Sequence, residues 1–232
     1  YLVAGDFESA LKDIERLKTL KPEYGNSDEI QAEALYKSAY NKVEGSDFAA
    51  AEELLTKAAE LNGKSAQIFF ARGVCRENLK MYKEAIEDYS RAIELKPSDG
   101  EFYKSRGFLY YTQKKYRQAI ADFDWALEID PNSAATYFNR GLCFSFIKNY
   151  TKAISDFTKA IELKPDKADY YLNRGMVQLD AGQYTAALND MNRALGLNSG
   201  IGMAYAVKGY AQVKLEMYKE AAENFRRAVE LD

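Results

Sequence analysis

The sequence contains no histidine and only two cysteines among its 232 residues. Histidine is the commonest general base and a frequent metal ligand, so its absence removes the usual route to acid–base catalysis. Two cysteines cannot supply the four ligands of a structural zinc site. The sequence also contains no phosphate-binding loop, nucleophile elbow or dinucleotide fingerprint. The composition therefore argues against an enzyme and predicts no metal or organic cofactor.

Long apolar runs and a large excess of one charge are missing as well. No apolar run approaches the roughly 20 residues of a membrane-spanning helix. The 32 basic and 35 acidic residues give a formal net charge of -3, whereas non-specific binding to nucleic acid requires a basic face. We therefore expect no direct membrane insertion and no nucleic-acid partner.

A unit of 34 residues repeats along the chain. Its clearest marker is the sequence Glu-Leu-Lys-Pro ending at Pro97, which recurs as Glu-Ile-Asp-Pro ending at Pro131 and as Glu-Leu-Lys-Pro ending at Pro165. A period in this range is typical of stacked supersecondary units, none of which can bury its apolar face alone. The pattern predicts a binding scaffold without naming its ligand.

Small and bulky residues occupy fixed positions within this unit. Position 8 is glycine in five of six units, position 17 is always aromatic, and positions 20 and 27 are always alanine. The units begin at Ala32, Ala66, Gly100, Ala134, Ala168 and Gly202. Position 24 carries Leu55, Tyr89, Phe123, Phe157, Met191 and Phe225.

This spacing predicts two amphipathic helices per unit and an all-α fold. Apolar residues recur at helical intervals on both sides of a polar break such as Gln113-Lys114-Lys115. Small residues at positions 8 and 20 would let the paired helices approach closely, and large side chains would fill the surrounding space. A proline after the second helix ends it, because proline cannot donate the next backbone hydrogen bond.

The residues over about 28–232 resemble the tetratricopeptide repeat family, whose unit has this length and this order of Gly, Tyr, Ala, aromatic, Ala and Pro. The resemblance implies a right-handed α-solenoid of six repeats, at residues 32–65, 66–99, 100–133, 134–167, 168–201 and 202–232. Position 11 departs from the family's preferred tyrosine in four units, at Lys42, Arg76, Gln178 and Gln212.

Both ends of the array depart from the regular pattern. Residues 1–24 match the second half of a further unit, and residues 25–31 form an insertion that we expect to extend the next helix, starting near Asp28. No polar capping helix follows the last unit, so we expect neighbouring chain or a partner to cover that end. Because the chain begins with Tyr1, we expect it to be part of a longer protein.

Arginine at position 7 and aspartate at position 23 occur together. Four units contain both residues, and the two remaining units contain neither. The co-occurrence predicts an ion pair between the two helices of one unit. The alternative, an anion-binding ladder of free arginines, does not explain why each arginine is accompanied by an aspartate.

In the family that the sequence resembles, the first helices line a concave groove with positions 2, 5, 6, 9, 12 and 13. Here those positions are strongly apolar, with more acids than bases, and an extensive apolar surface indicates a bound partner. The alternative is that positions 5 and 9 pack between adjacent helices. The candidate ligand-binding residues are Tyr36, Tyr40, Phe70, Lys104, Phe108, Tyr111, Phe138, Asn139, Leu142, Phe146, Leu172, Asn173, Met176 and Tyr210.

Two binding modes of the family can be compared with these residues. The clamp for acidic chaperone tails is broken, because Phe108 and Asp169 stand where it needs asparagine and lysine. The ladder of amides that grips a peptide backbone is reduced to Asn139 and Asn173. We therefore expect a neutral or basic protein or peptide partner with apolar anchors.

Trp125 is the chain's single tryptophan and occupies position 26, where every other unit carries Lys or Arg. The basic residues mark this position as solvent-facing, so we expect Trp125 to be partly exposed. Two roles are open: it stacks on a neighbouring cation such as Lys159 or Arg91, or it forms a second contact site for a subunit or partner.

The sequence therefore predicts a non-catalytic protein–protein interaction scaffold. One alternative is a recruiting or regulatory domain of a larger enzyme or co-chaperone; another is a structural subunit of a homo-oligomer or larger assembly. Cys75 and Cys143 both fall at position 10, two whole repeats apart, which is too far for a disulfide. Buried free thiols fit a reducing compartment such as the cytoplasm.

Overall fold

A computed structural model of the chain describes residues 27–231, together with the helical residues Asp13 and Arg16. The expected partial repeat at residues 1–24 otherwise lies outside the described residues.

Residues 27–231 form twelve α-helices and no strand, which confirms the predicted all-α class. The first helix of each regular unit has 13 residues and the second has 14, whereas α1 has 18. The helices are α1 (Ser27–Glu44), α2 (Phe48–Leu61), α3 (Ala66–Asn78), α4 (Tyr82–Leu95), α5 (Gly100–Thr112), α6 (Tyr116–Ile129), α7 (Ala134–Phe146), α8 (Tyr150–Leu163), α9 (Ala168–Asp180), α10 (Tyr184–Leu197), α11 (Gly202–Lys214) and α12 (Tyr218–Leu231).

The chain divides into two compact units, Tyr1–Leu109 and Tyr110–Asp232, with the division inside α5. In the first unit, the α1–α2 and α3–α4 pairs bury Leu55 and Tyr89. In the second, the successive helices bury Phe123, Phe157 and Met191. Each unit therefore has its own layers of helix pairs joined by apolar contacts.

Within a helix pair, the glycine at position 8 faces the bulky residue at position 24. A Cβ added to Gly73 would lie 2.7 Å from the ring of Tyr89, and one added to Gly141 would lie 2.9 Å from the ring of Phe157. Both rings are fully buried. The glycines are thus required by a close approach of the helix backbone to a core ring, as the repeat pattern predicted.

The turn between the two helices of a unit contains one residue with positive φ. Lys80, Lys114 and Lys148 have φ values of 62°, 60° and 59°, and Glu216 has 62° at the same repeat position. In the fifth repeat this position is occupied by Gly182, with a φ of 75°. Turns of the same backbone form therefore carry different side chains, and the side chains give each turn its own charge.

Three of the predicted Arg–Asp pairs are present, each within its own repeat, and all three are bidentate. Nε and Nη2 of Arg140 each donate to Asp156 at 2.7 Å. Arg72 pairs with Asp88 at 2.9 and 2.7 Å, and Arg174 with Asp190 at 2.7 Å. The arginines therefore hold the two helices of a unit together, as predicted.

The same arginines make a further contact that the sequence analysis missed. Nη1 of Arg140 donates to Asp124 at 2.6 Å, and Nη1 of Arg174 donates to Thr158 at 2.9 Å. Both acceptors lie 16 residues before the arginine, on the second helix of the preceding repeat. Each arginine thus joins three helices. The signal was the polar side chain at position 25 of each repeat that precedes an arginine: Thr56, Ser90, Asp124 and Thr158.

These contacts also shift the pKa values of two of the arginines. Burial alone lowers the pKa of Arg140, but the hydrogen bonds and charges of Asp156 and Asp124 outweigh it and raise the pKa above its usual value. For Arg174, the hydrogen bond to Asp190 has the largest effect and raises the pKa. Both guanidinium groups remain charged throughout the pH range in which the protein folds.

The substitution Arg140→Met should destabilise the fold by about 3 kcal/mol, because it leaves the buried carboxylate of Asp156 without its cation. A matched control is Lys159→Met, which removes an exposed pair with Glu162 and should cost less than about 1 kcal/mol. Urea unfolding followed by circular dichroism measures both changes. Equal losses in the two variants would contradict the structural role of the buried pair.

Cys75 and Cys143 are free and fully buried. Burial, with a smaller effect from the nearby charge of Glu52, raises the pKa of Cys75 to about 11. Burial raises the pKa of Cys143 to about 12. Since the thiolate is the reactive form, both thiols are chemically inert in the folded chain.

At pH 8, iodoacetamide should alkylate both cysteines at least about 100-fold more slowly in the folded protein than in urea, because a higher pKa leaves less thiolate and burial blocks access. Mass spectrometry of tryptic peptides reports each site separately. Rapid labelling of either folded cysteine would show that its helix pair opens frequently.

Candidate interaction surface

The first helices expose large apolar side chains at positions 9 and 13. These side chains are 37–59% exposed, although each lies on a helix whose opposite side is packed into the core. In the first unit the exposed set is Tyr40 on α1 and Phe108 on α5. In the second unit it is Phe146 on α7, Met176 on α9 and Tyr210 on α11. Five of the predicted site residues are therefore available at the surface.

The residues at position 5 contact the core as well as the surface. The ring centroid of Phe70 lies 4.8 Å from that of Phe102 and 5.6 Å from that of Tyr89. In the second unit, the ring of Phe138 packs on a core cluster that also contacts Leu172. Leu142, at position 9, also packs on buried residues. The alternative that some of these residues pack between helices is therefore correct for part of the predicted set.

The first unit contains an apolar hollow of about 190 Å³ beside these side chains. It brings together three predicted residues, Tyr36, Tyr40 and Phe70. Its remaining lining residues are Ala39, Val43, Leu55, Ala71 and Val74. The hollow offers no charged group, so it suits an apolar side chain.

The second unit contains a cluster of three aromatic residues at the end of a helix pair. The rings of Tyr116 and Phe146 stack with centroids 4.8 Å apart and an angle of 3° between their planes. Tyr111 lies 5.9 Å from Phe146 and 6.1 Å from Tyr116. Tyr116 was not among the predicted site residues because position 17 is aromatic in every unit and was assigned to packing. Its contact with exposed Phe146 distinguishes it.

The two asparagines at position 6 differ in their hydrogen bonds. Asn173 donates through Nδ2 to the carbonyl of Asp169 at 2.8 Å, within its own helix. The half-buried amide of Asn139 has no hydrogen bond to any residue that the structure describes. Asn139 can therefore offer both a donor and an acceptor to a ligand, whereas Asn173 has one donor already engaged.

Several charges on these helices are neutralised locally. Lys104 pairs with Glu101, and Lys37 pairs with Glu33 at 3.2 Å. In the second unit, Asp169 and Asp180 are exposed and form no ion pair with the described residues. The unpaired charge on α9 is therefore negative, whereas α11 carries Lys208 and Lys214, which form no ion pair with the described residues.

Within residues 27–231, no group of three or more Cys, Asp or Glu side chains is placed to hold a metal ion. In the same range, no helix is long and apolar enough to cross a membrane.

Comparison with known proteins identifies the class to which this fold belongs. Family models described as tetratricopeptide repeat match residues 66–99, 100–133, 134–167, 157–189 and 204–232. These ranges together cover more than half of the chain. The chain belongs to the tetratricopeptide repeat family, whose members are generally non-catalytic and act as protein–protein interaction scaffolds. No curated protein matches the sequence significantly.

Solved structures of the same fold include MamA, which is 24% identical, with a TM-score of 0.67 over 68% of this chain and 93% of MamA. YrrB, described as a tetratricopeptide repeat protein with an unusual peptide-binding site, is 21% identical, with a TM-score of 0.71 over 78% of this chain and 93% of YrrB. PilF of Pseudomonas aeruginosa is 19% identical, with a TM-score of 0.68 over 83% of this chain and 88% of PilF. At these identities the likeness shows the fold alone.

Trp125 lies on the second helix α6 and is 54% exposed, as the basic residues at its position predicted. Its neighbour one turn later, Ile129, is also exposed. Whether Trp125 contacts a partner stays a hypothesis.

The fluorescence of Trp125 should be red-shifted toward that of tryptophan in water, and acrylamide should quench it efficiently, because half of its surface meets solvent. The chain has no other tryptophan, so the emission reports this site alone. A blue-shifted spectrum that resists quenching would contradict the exposed position.

Proposed function

We propose that the chain is a non-catalytic scaffold that binds an extended or helical segment of a partner protein on the exposed faces of its first helices. The observation that carries this proposal is the set of exposed apolar side chains at positions 9 and 13, on helices whose other side is fixed by the core. The peptide-binding site attributed to YrrB gives the proposal a precedent within the fold.

In the second unit, the exposed side chain of Met176 would supply apolar contact area. Methionine adapts its shape to different partners, and aromatic or aliphatic anchors supply most of the energy at such surfaces. Tyr210 packs edge-on against Phe225, with centroids 5.1 Å apart, so its exposed ring is held in one orientation. A side chain that is already ordered loses less entropy when a partner binds.

Asn139 would hold the backbone of the bound segment. Its amide has no hydrogen bond to the described part of the chain, and an amide can accept from one peptide N–H while donating to a carbonyl. Such a contact fixes the register of the ligand without demanding a particular sequence. Beside Met176 on α9, the exposed acids Asp169 and Asp180 favour a segment that is neutral or basic where it contacts this helix.

In the first unit, the hollow beside Tyr36, Tyr40 and Phe70 would receive a single apolar side chain. Its volume of about 190 Å³ is comparable to that of a large aliphatic or aromatic residue. Phe108 is exposed on α5 in the same unit. Lys104 has little influence on which ligand charge is preferred, because Glu101 neutralises it.

The experiment is a display selection of random 12-residue peptides on the purified chain, followed by fluorescence anisotropy of the recovered binders. Asn139→Ala and Met176→Ala should each weaken binding of neutral or basic binders by roughly 1–3 kcal/mol. The control is Val229→Ala, since Val229 is 79% exposed on the second helix α12, outside the proposed surface. The three variants should have the same helix content as the parent.

If the selected peptides bind both variants as tightly as they bind the parent, the first helices of the second unit are not the site. The outer surface around Trp125 would then be the better candidate.

A further inference from the structure

The turns between paired helices differ sharply in charge. Over repeat positions 12–21, the third 34-residue repeat has three basic residues and no acid, and the fourth repeat has two basic residues and no acid. The second and sixth repeats each have two basic and two acidic residues there, while the first and fifth repeats have acidic residues only. Positive charge is therefore concentrated at two consecutive turns, in a chain whose net charge is negative.

These two turns border a shallow, open cleft in the second compact unit. The cleft has a volume of about 300 Å³ and lies where the turn before α6 meets the end of α7. Its lining residues are Lys114, Lys115, Tyr116, Arg117, Gln118 and Ile147. Lys148 follows Ile147 directly and adds a further exposed cation. All the charged residues of the cleft carry the same sign.

The cations of the cleft have no carboxylate partner within the described part of the chain. The ammonium group of Lys115 lies 5.8 Å from the ring centroid of Tyr110, which orients it without neutralising it. Lys114 and Arg117 are exposed and form no ion pair with described residues. By contrast, Lys83, at the same repeat position as Arg117, lies 4.0 Å from Glu87.

The cleft also has an apolar wall. Tyr116 is fixed by its stacking on Phe146, and Ile147 is 40% exposed. One face of the Tyr116 ring is already covered by Phe146, which disfavours the stacking of successive bases that single-stranded nucleic acids use. A ligand with carboxylates next to one apolar side chain matches these cations and this apolar wall better than a nucleic acid does.

We propose that this cleft binds an acidic segment of a partner protein. Its carboxylates would contact Lys114, Lys115 and Arg117, and one apolar or aromatic side chain would lie against Tyr116 and Ile147. This site adjoins the first-helix surface at Phe146 but takes a ligand of the opposite charge, since that surface suits a neutral or basic segment. Like-signed cations in one cleft reinforce each other in attracting an anionic ligand, and added salt screens this attraction.

The probe is a fluorescein-labelled hexapeptide with five acidic residues and one central phenylalanine, measured by anisotropy against the whole chain. The double variant Lys114→Glu/Arg117→Glu should weaken its binding at least about tenfold. The matched control is Lys80→Glu/Lys83→Glu, which changes the same two repeat positions in a turn that already contains acids. That control should change binding less than about twofold, and raising the salt concentration should weaken binding to the parent.

Both double variants should fold normally. Glu216 already occupies the same positive-φ turn position with φ 62°, and glutamate in the first turn of a helix is favoured by the helix dipole. A loss of binding with unchanged circular dichroism therefore reports the cleft itself.

Three results would overturn the proposal: no binding of the acidic peptide, equal losses in the two double variants, or equal binding of a control peptide with glutamine in place of each acid. Tighter binding of a twelve-residue oligothymidine at the same residues would instead assign the cleft to nucleic acid and would also overturn it. None of these results bears on Asn139→Ala or Met176→Ala, so this site and the first-helix surface fail independently.

Discussion

The close approach of paired helices across the glycine at position 8 is the constraint on which the rest of the structure depends. Because the ring of Phe157 occupies the space where a Cβ of Gly141 would lie, the first helix can have only one rotation about its axis. Position 8 then faces the second helix, and position 9, turned by about 100°, faces away from it. The packing that buries the ring at position 24 therefore turns position 9 away from the second helix, where Phe108 and Met176 are exposed but Leu142 is covered by neighbouring residues.

The arginine at position 7 maintains this arrangement from one repeat to the next. Apolar contacts are not directional, so away from this glycine they do not by themselves fix the position of one repeat against the next. A planar guanidinium that contacts Asp156 in its own repeat and Asp124 in the preceding one fixes both distances at once. Buried ion pairs add little net stability compared with apolar packing, but they add geometric specificity in a repeated structure. The exposed side chains of the first helices are therefore held at regular positions from one repeat to the next.

The sequence predicted those features that depend on one residue type at one repeat position. The helix pairs, the contact between glycine and the core ring, the Arg140–Asp156 pair and the exposure of Trp125 all belong to this group. Each follows from a period and a side-chain size, which a single sequence displays directly.

Exposure at positions 5 and 9 could not be predicted in the same way. Leu142 and Phe108 both stand at position 9, yet Leu142 packs on a core cluster and Phe108 is 44% exposed. The difference arises because residues of neighbouring helices, such as Val177, cover Leu142 and leave Phe108 exposed, and these residues lie far away in the sequence. The contact of Arg140 with Asp124 was missed because its acceptor lies in the preceding repeat, at a position that carries threonine, serine or aspartate rather than one residue type.

Charge has to be considered locally in this molecule. The net charge of -3 averages over turns that carry only bases and turns that carry only acids. At physiological ionic strength the interaction between exposed charges is largely screened beyond about 8 Å, so a partner segment responds to the turn that it touches rather than to the whole chain. The second unit can therefore present exposed acids on α9 and unpaired cations before α6 without either cancelling the other. Since both sets are exposed and lie outside the buried clusters, their charges can change without changing the fold, and the repeat backbone can support ligand preferences of opposite sign.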